Sequence, residues 1–186
     1  LHNETAAMQV DFSNNYFELF ELPVVFDVPQ EHLDTRFRSL QRFLHPDKFA
    51  SEPDAQRRWS MQAASFVNEA YQTLSKPLKR ASYILSLNGI SLDEETDTQM
   101  SPMFLMEQME MREALGDAPD ASDPYAALEK ISDQLRSAQS SSAADFTKAA
   151  GDENWDEART IVRQWQFLEK LMSEVQTVEA RLDDTV

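Results

Sequence analysis

Few side chains in this protein are suited to chemistry, and the most suggestive sit together: His45-Pro46-Asp47, within "LQRFLHPDKF" at residues 40–49. A histidine exchanges protons near neutral pH, a carboxylate can orient it, and both can ligate a metal. The other histidines do not complete such a site. His2 lies in the N-terminal tail, and His32 lies about three turns back along the same expected helix. One histidine and one carboxylate are too few ligands for zinc. Cysteine is absent, which removes thiolate ligands, thiolate nucleophiles and disulfides. No nearby sequence supplies a nucleophile or a metal-bound water for the pair to activate. No catalytic residue, metal or cofactor is therefore expected. A plain helix stop accounts for Pro46, because proline disfavours the α conformation at the residue before it. It does not account for the cations leading into the tripeptide. Projected at about 100° per residue, Arg38 and Arg42 fall opposite the apolar stripe Leu33, Phe37, Leu40 and Leu44, and Lys48 follows.

The elements that hold these residues read as helices throughout, and alternating strand patterns are nearly missing. "NYFELF" (Asn15–Phe20) forms a short first segment, and Pro29 is suited to open the next helix. "SEPD" (Ser51–Asp54) suggests a capped start for a helix running to about Leu74, burying Ala63, Val67, Ala70 and Leu74 with Tyr71 alongside. Pro77 begins a fourth helix that Asn88-Gly89 can end. Residues 91–100 read as an acidic linker. Beyond it, Ser101-Pro102 and Asp123-Pro124 are two further start signals, with Gly116 and Gly151 near the ends of those helices. The last helix starts near Asn154, with Ile161, Trp165, Leu168, Met172, Val175 and Leu182 on one seam broken at Glu179. This rhythm predicts an antiparallel three-helix bundle over 101–186. The low-complexity stretch "SAQSSSAAD" (Ser137–Asp145) can fray without ending its helix. Residues 1–15 read as a tail, and Leu1–Ala7, before Met8, carry no clear pattern and are assigned neither to the native protein nor to an addition.

Composition narrows the function classes. With three glycines in 186 residues there is no phosphate-cradling loop, and no stretch reads as a membrane span or secretory signal. The net charge of −16 is uneven: residues 16–90 hold nine basic and nine acidic side chains, whereas 91–186 hold eight and twenty-two. Such acidity argues against nucleic acid as the main partner, and the asymmetry suggests two modules with different jobs. The lack of cysteine sits easily with a reducing cytoplasm.

Residues 16–90 closely resemble a J-domain: a short first helix, a basic-faced second helix, the His-Pro-Asp loop, a long third helix containing "NEAYQTL", and a short fourth helix. The resemblance implies docking onto an ATP-bound chaperone of the DnaK/HscA class and stimulation of its ATP hydrolysis. His45, Pro46 and Asp47 would act at the loop, and Arg38, Arg42 and Lys48 as electrostatic contacts. The protein itself would not be an enzyme.

The helix "SPMFLMEQMEMREALG" has more apolar residues than one stripe can use. Phe104, Met111 and Leu115 fall together and can serve the bundle core. Leu105, Met106 and Met109 project elsewhere, beside Glu110, Glu113 and Asp117. That second face either packs on the first domain or meets a partner, where methionines fit an irregular surface and carboxylates steer a basic one. Phe167 lies off the last helix's seam and is also available. Trp155, early in that helix, is expected to staple the bundle end.

"FLMEQMEMRE", the later "QFLEKL" and "RASYILSLNGI" are similar to the HscB-type J-proteins of iron–sulfur cluster assembly, over nearly all of residues 15–185. The resemblance implies an all-α, L-shaped cochaperone whose C-terminal bundle binds the IscU-type scaffold. Leu105, Met106, Met109, Glu110, Glu113, Asp117 and Phe167 would be its scaffold contacts. Methionine at 109 and aspartate at 117 depart from the leucine and glutamate expected there. The missing cysteines fit the bacterial form, without the N-terminal cysteine module of some relatives. A general J-protein with a different client is the alternative.

Overall fold

The computed structural model describes residues 10–92 and 100–184, and the regular structure among them is helical. It begins with α1 (Tyr16–Leu19), a single turn. Asn15 makes so short a helix possible. Its side chain accepts from Glu18 N–H at 3.0 Å, and Glu18 carboxylate accepts from Asn15 N–H at 2.8 Å, satisfying two donors at the helix start. Phe17, Leu19 and Phe20 are buried beneath it.

Helix α2 (Gln30–Phe43) starts one residue later than the sequence suggests. Pro29 is its N-cap, and its carbonyl accepts from Leu33 N–H. Leu33, Leu40 and Leu44 are buried, whereas Phe37 is half-buried. The Phe37 ring lies flat on Tyr71, with centroids 3.9 Å apart, and the Tyr71 hydroxyl donates to Asp34 Oδ1 at 2.9 Å. That hydrogen bond raises the Tyr71 pKa, with burial as the second cause. Both contacts clamp α2 to α4 (Asp54–Leu74), whose Ala63, Val67, Ala70 and Leu74 are fully enclosed as the spacing predicts.

Ser51 does not cap α4. Pro53 holds that position, and no side chain caps the helix. The segment before it is instead a turn in which Glu52 N–H donates to Phe49 C=O. At the other end, the buried Arg80 of α5 (Pro77–Leu87) donates to the Leu74 carbonyl and lies 4.8 Å over the Phe26 ring. Gly89, at φ +73, ends α5 as expected. Its left-handed conformation lets Ile90 N–H reach back to Leu85 C=O at 2.9 Å.

The chain divides into two units after Ile84, inside α5. Of the acidic stretch 91–100, residues 93–99 lie outside the described residues.

The second unit contains α6 (Pro102–Asp117), a 3₁₀ turn (Ala118–Asp120), α7 (Pro124–Gly151) and α8 (Trp155–Asp183). Ser101 and Asp123 cap their helices as predicted, accepting from the N–H groups of Phe104 and Ala126, with proline at the first helical position of each. Asn154 caps α8 through Glu157 N–H. The glycines near the expected stops do not make them. Gly116 and Gly151 are helical, and the left-handed residue after α7 is Glu153 at φ +54, which lets Asn154 N–H bond Ala149 C=O at 2.8 Å. The serine-rich stretch stays helical, with Ser142 and Thr147 hydroxyls donating to carbonyls one turn back.

Leu115, Leu128, Ile131, Leu135, Leu168, Leu171 and Val175 form the core of this bundle. On α8 the buried stripe is wider than the expected seam, because Ala158, Val162 and Leu171 are also enclosed. Trp155 is half-buried. Side-chain contacts give the helix directions. Arg112 meets Glu174 at 3.6 Å and Phe104 meets Phe167, so α6 runs parallel to α8, while Tyr125 bonds Asp183 and Gln139 bonds Glu169, so α7 runs antiparallel to both.

Candidate functional site

Two surfaces, one in each unit, carry the residues singled out from the sequence. In the first, α2 ends at Phe43 with Leu44 as its C-cap, and His45 then starts a new turn, α3 (Pro46–Phe49). The tripeptide is thus the capped beginning of a four-residue helix rather than an open loop. His45 Nδ1 accepts from Asp47 N–H at 3.4 Å and lies 3.6 Å from Asp47 Oδ2. Pro46 at the first helical position fixes φ and has no N–H to leave unsatisfied. His45, Pro46 and Asp47 are all exposed, and the Asp47 side chain is almost fully open to solvent, at 91%.

A groove of about 720 Å³ runs alongside, lined by Arg38, Gln41, Arg42, His45 and Pro46 on one wall and Val67 with its α4 neighbours on the other. Its rim is cationic. Arg38 donates to the Thr35 hydroxyl and Arg42 Nε to the Arg38 carbonyl, each at 3.4 Å, so both guanidiniums keep donors for a partner. Neither meets a carboxylate within ion-pair distance among the described residues. Lys48 is exposed on α3 but does not line the groove, nor does Asp47. Among the described residues no cluster of three or more histidines and carboxylates could hold a metal. The geometry suits binding by charge and shape.

The second surface is the outer side of α6. Leu105 is 44% exposed, Met106 63% and Met109 71%, and Glu110, Glu113 and Asp117 are exposed with them. At about 100° per residue these six span an arc of roughly 140°. Asp117, the last residue of α6, is inside the helix and therefore on this face. Phe167 of α8 is 37% exposed and meets Phe104 edge-on, with centroids 6.2 Å apart, which brings it to the margin of the face.

The inner side differs from the expected stripe. Phe104 is only half-buried, and the buried residues of α6 are Leu115 and Gln108. The missed signal is spacing: residues 104, 108, 111 and 115 follow a four-three-four rhythm, and the polar character of Gln108 hides its core position. Met103 has no role in the sequence reading, yet at 72% exposure it adjoins Met106 on the outer arc.

Comparison with known proteins agrees with this division. Residues 15–83 match the family model described as the DnaJ domain, and residues 100–176 match the HSCB C-terminal oligomerisation domain. The chain is 42% identical over 168 residues to the co-chaperone protein HscB homolog of Vibrio cholerae, covering 90% of this chain and 98% of that one. The homolog of Photobacterium profundum is 40% identical over 170 residues, 91% of this chain and 99% of its own. Among solved structures, chaperone HscB from Vibrio cholerae superposes with a TM-score of 0.81 at 40% identity, covering 91% of this chain and 99% of that chain. Human co-chaperone HscB gives 0.84 at 29% identity, covering 91% and 84%. An HscB-like arrangement of helices, both family models in order and near-complete coverage of curated relatives coincide in one molecule, and the chain belongs to the HscB co-chaperone family.

Proposed function

We propose that this protein stimulates the ATPase of an HscA/DnaK-class chaperone and delivers an IscU-type scaffold to it during iron–sulfur cluster assembly. Residues 16–90 are the J-domain in this reading, and 101–186 the scaffold-binding bundle. His45, Pro46 and Asp47 present a rigid corner to the chaperone, with Arg38 and Arg42 on the adjoining groove and Lys48 beyond it. The protein supplies no atom to the hydrolysis. Its effect is differential affinity, by which binding favours the chaperone conformation that hydrolyses ATP.

On the second unit, Leu105, Met106, Met109 and Phe167 offer apolar contact, and Glu110, Glu113 and Asp117 steer a basic partner. Holding scaffold and chaperone on one chain raises the local concentration of each for the other, so neither binary contact needs to be tight. The observation that carries the proposal is the exposure of Leu105, Met106 and Met109 after the bundle core has closed on the opposite side of α6.

The test is single-turnover ATP hydrolysis by an HscA-type chaperone, with this protein and the scaffold added separately and together. Acceleration by the protein alone, and greater acceleration with both, is the expected result. No acceleration by the protein alone overturns the first half of the proposal. No further gain from the scaffold overturns the second.

A further inference from the structure

The outer arc of α6 is unusual in its sulfur content. Met103, Met106 and Met109 follow one another at intervals of three residues, exposed at 72%, 63% and 71%. Met111, on the same helix, is turned inward and packs on the bundle core, as does Met172 of α8. The helix thus separates its methionines into an accessible row and a partly buried position only two residues away. A thioether reacts with a hydroperoxide when the oxidant can reach the sulfur, so exposure orders the rates.

The chemistry is complete with hydrogen peroxide as co-reactant. A sulfur lone pair attacks one peroxide oxygen, the S–O bond forms and the O–O bond breaks. The departing oxygen leaves as water after taking the second proton. Sulfur is oxidised by two electrons and the peroxide is reduced by two. The product sulfoxide is polar and chiral where the thioether was apolar and flexible. On an isolated surface this matters little, because water solvates the new oxygen. On a face that a partner must dehydrate, each sulfoxide oxygen has to find a donor or be buried unpaired.

We infer that Met106 and Met109 form a peroxide-sensitive modification site: their oxidation to sulfoxide weakens docking on the α6 face, and reduction by a methionine sulfoxide reductase restores it. Met103 oxidises alongside them at the edge of the arc. The inference rests on the proposed role of this face in scaffold binding. At position 109 a leucine in place of the methionine would be inert to peroxide. Occupation by the partner also shields the row, so the modification acts on the free protein.

The test treats the full-length chain with hydrogen peroxide, removes the oxidant with catalase, and only then adds untreated IscU-type scaffold. Peptide mass spectrometry reads the extent of oxidation at each methionine, and calorimetry reads scaffold affinity. Met106 and Met109 should oxidise well before Met111 and Met172. Scaffold affinity should fall by about tenfold or more once both carry oxygen, a loss typical of burying unpaired polar groups. Treatment with the reductase and a thiol should restore it. In M106L/M109L the ratio of affinities after and before peroxide should stay near one, whatever the variant's starting affinity. Equal oxidation rates for Met109 and Met111 would overturn the accessibility argument. Unchanged affinity with both sulfoxides in place would overturn the switch alone. Failure of the untreated protein to bind the scaffold would instead overturn the proposed role of the face, and the switch with it.

Discussion

Replacing Leu105, Met106 and Phe167 together by alanine removes three of the four apolar contacts that α6 and α8 are proposed to offer a partner. Its effect can be worked from exposure. Fully burying a leucine, methionine or phenylalanine side chain contributes about 2 kcal/mol. The fractions still available for burial are 44%, 63% and 37%. These scale the three contributions to about 0.9, 1.3 and 0.7 kcal/mol, or about 3 kcal/mol together, which is roughly a 150-fold weaker dissociation constant. The fold should survive. Alanine is the best helix former, and none of the three residues is in the buried core. The main structural loss is the Phe104–Phe167 edge contact, worth about 1 kcal/mol. Isothermal calorimetry with an IscU-type scaffold gives the affinity, and circular dichroism on the same samples checks the helices. Stimulation of the chaperone's basal ATPase should persist, since the tripeptide and its groove lie in the other unit. A change below fivefold in scaffold affinity, with the helices intact, would refute the reasoning that locates the contact on this face.

Asp47→Asn should leave helical content and melting temperature unchanged, because the side chain is 91% exposed, yet abolish chaperone stimulation in a single-turnover assay. Raising salt from about 50 mM to 500 mM should weaken chaperone docking several-fold as screening shortens the reach of Arg38, Arg42 and Lys48, with Arg42→Ala showing a shallower salt dependence in the same titration. Glu153→Gly should raise the urea midpoint by an amount worth about 0.5–1 kcal/mol, since glycine holds the φ +54 conformation without the side-chain penalty. Burial, together with hydrogen bonding to Glu69 and its charge, pushes the Tyr16 phenol from 10.0 up to about 12, so its contribution is intact below pH 10 and is lost as pH rises through 12. Urea denaturation at pH 9 and pH 11 should show that loss, and Tyr16→Phe should reduce it.

Helix order and the core of the first unit were legible in the sequence because apolar spacing and proline-marked starts agreed. Ala63, Val67, Ala70 and Leu74 are enclosed as their period requires. The His-Pro-Asp segment was legible by residue type, whereas its form as a capped turn was not, since Pro46 both ends one helix and begins another. Ser51 misled because a serine ahead of a proline and an acid is a cap only if the chain does not already turn there. Gly116 and Gly151 misled because glycine permits a left-handed residue without demanding one, and the strained position fell to Glu153. On α6 the exposed face was readable by elimination once one stripe had been filled. Gln108 was not, since enclosure of an amide depends on the surrounding helices rather than on its own hydropathy.

That glutamine has a consequence for how α6 moves. The helix encloses only Leu115 and Gln108, and the Gln108 Oε1 finds no hydrogen-bond partner among the described residues. Helices α7 and α8, by contrast, enclose five and eight side chains. Detaching α6 therefore costs far less than melting the hairpin it lies on, and its amide protons should exchange with deuterium ahead of those in α7 and α8. A ligand gripping the outer side would slow that exchange along the whole helix, so the weakest-held element of the bundle doubles as its most sensitive reporter of occupancy.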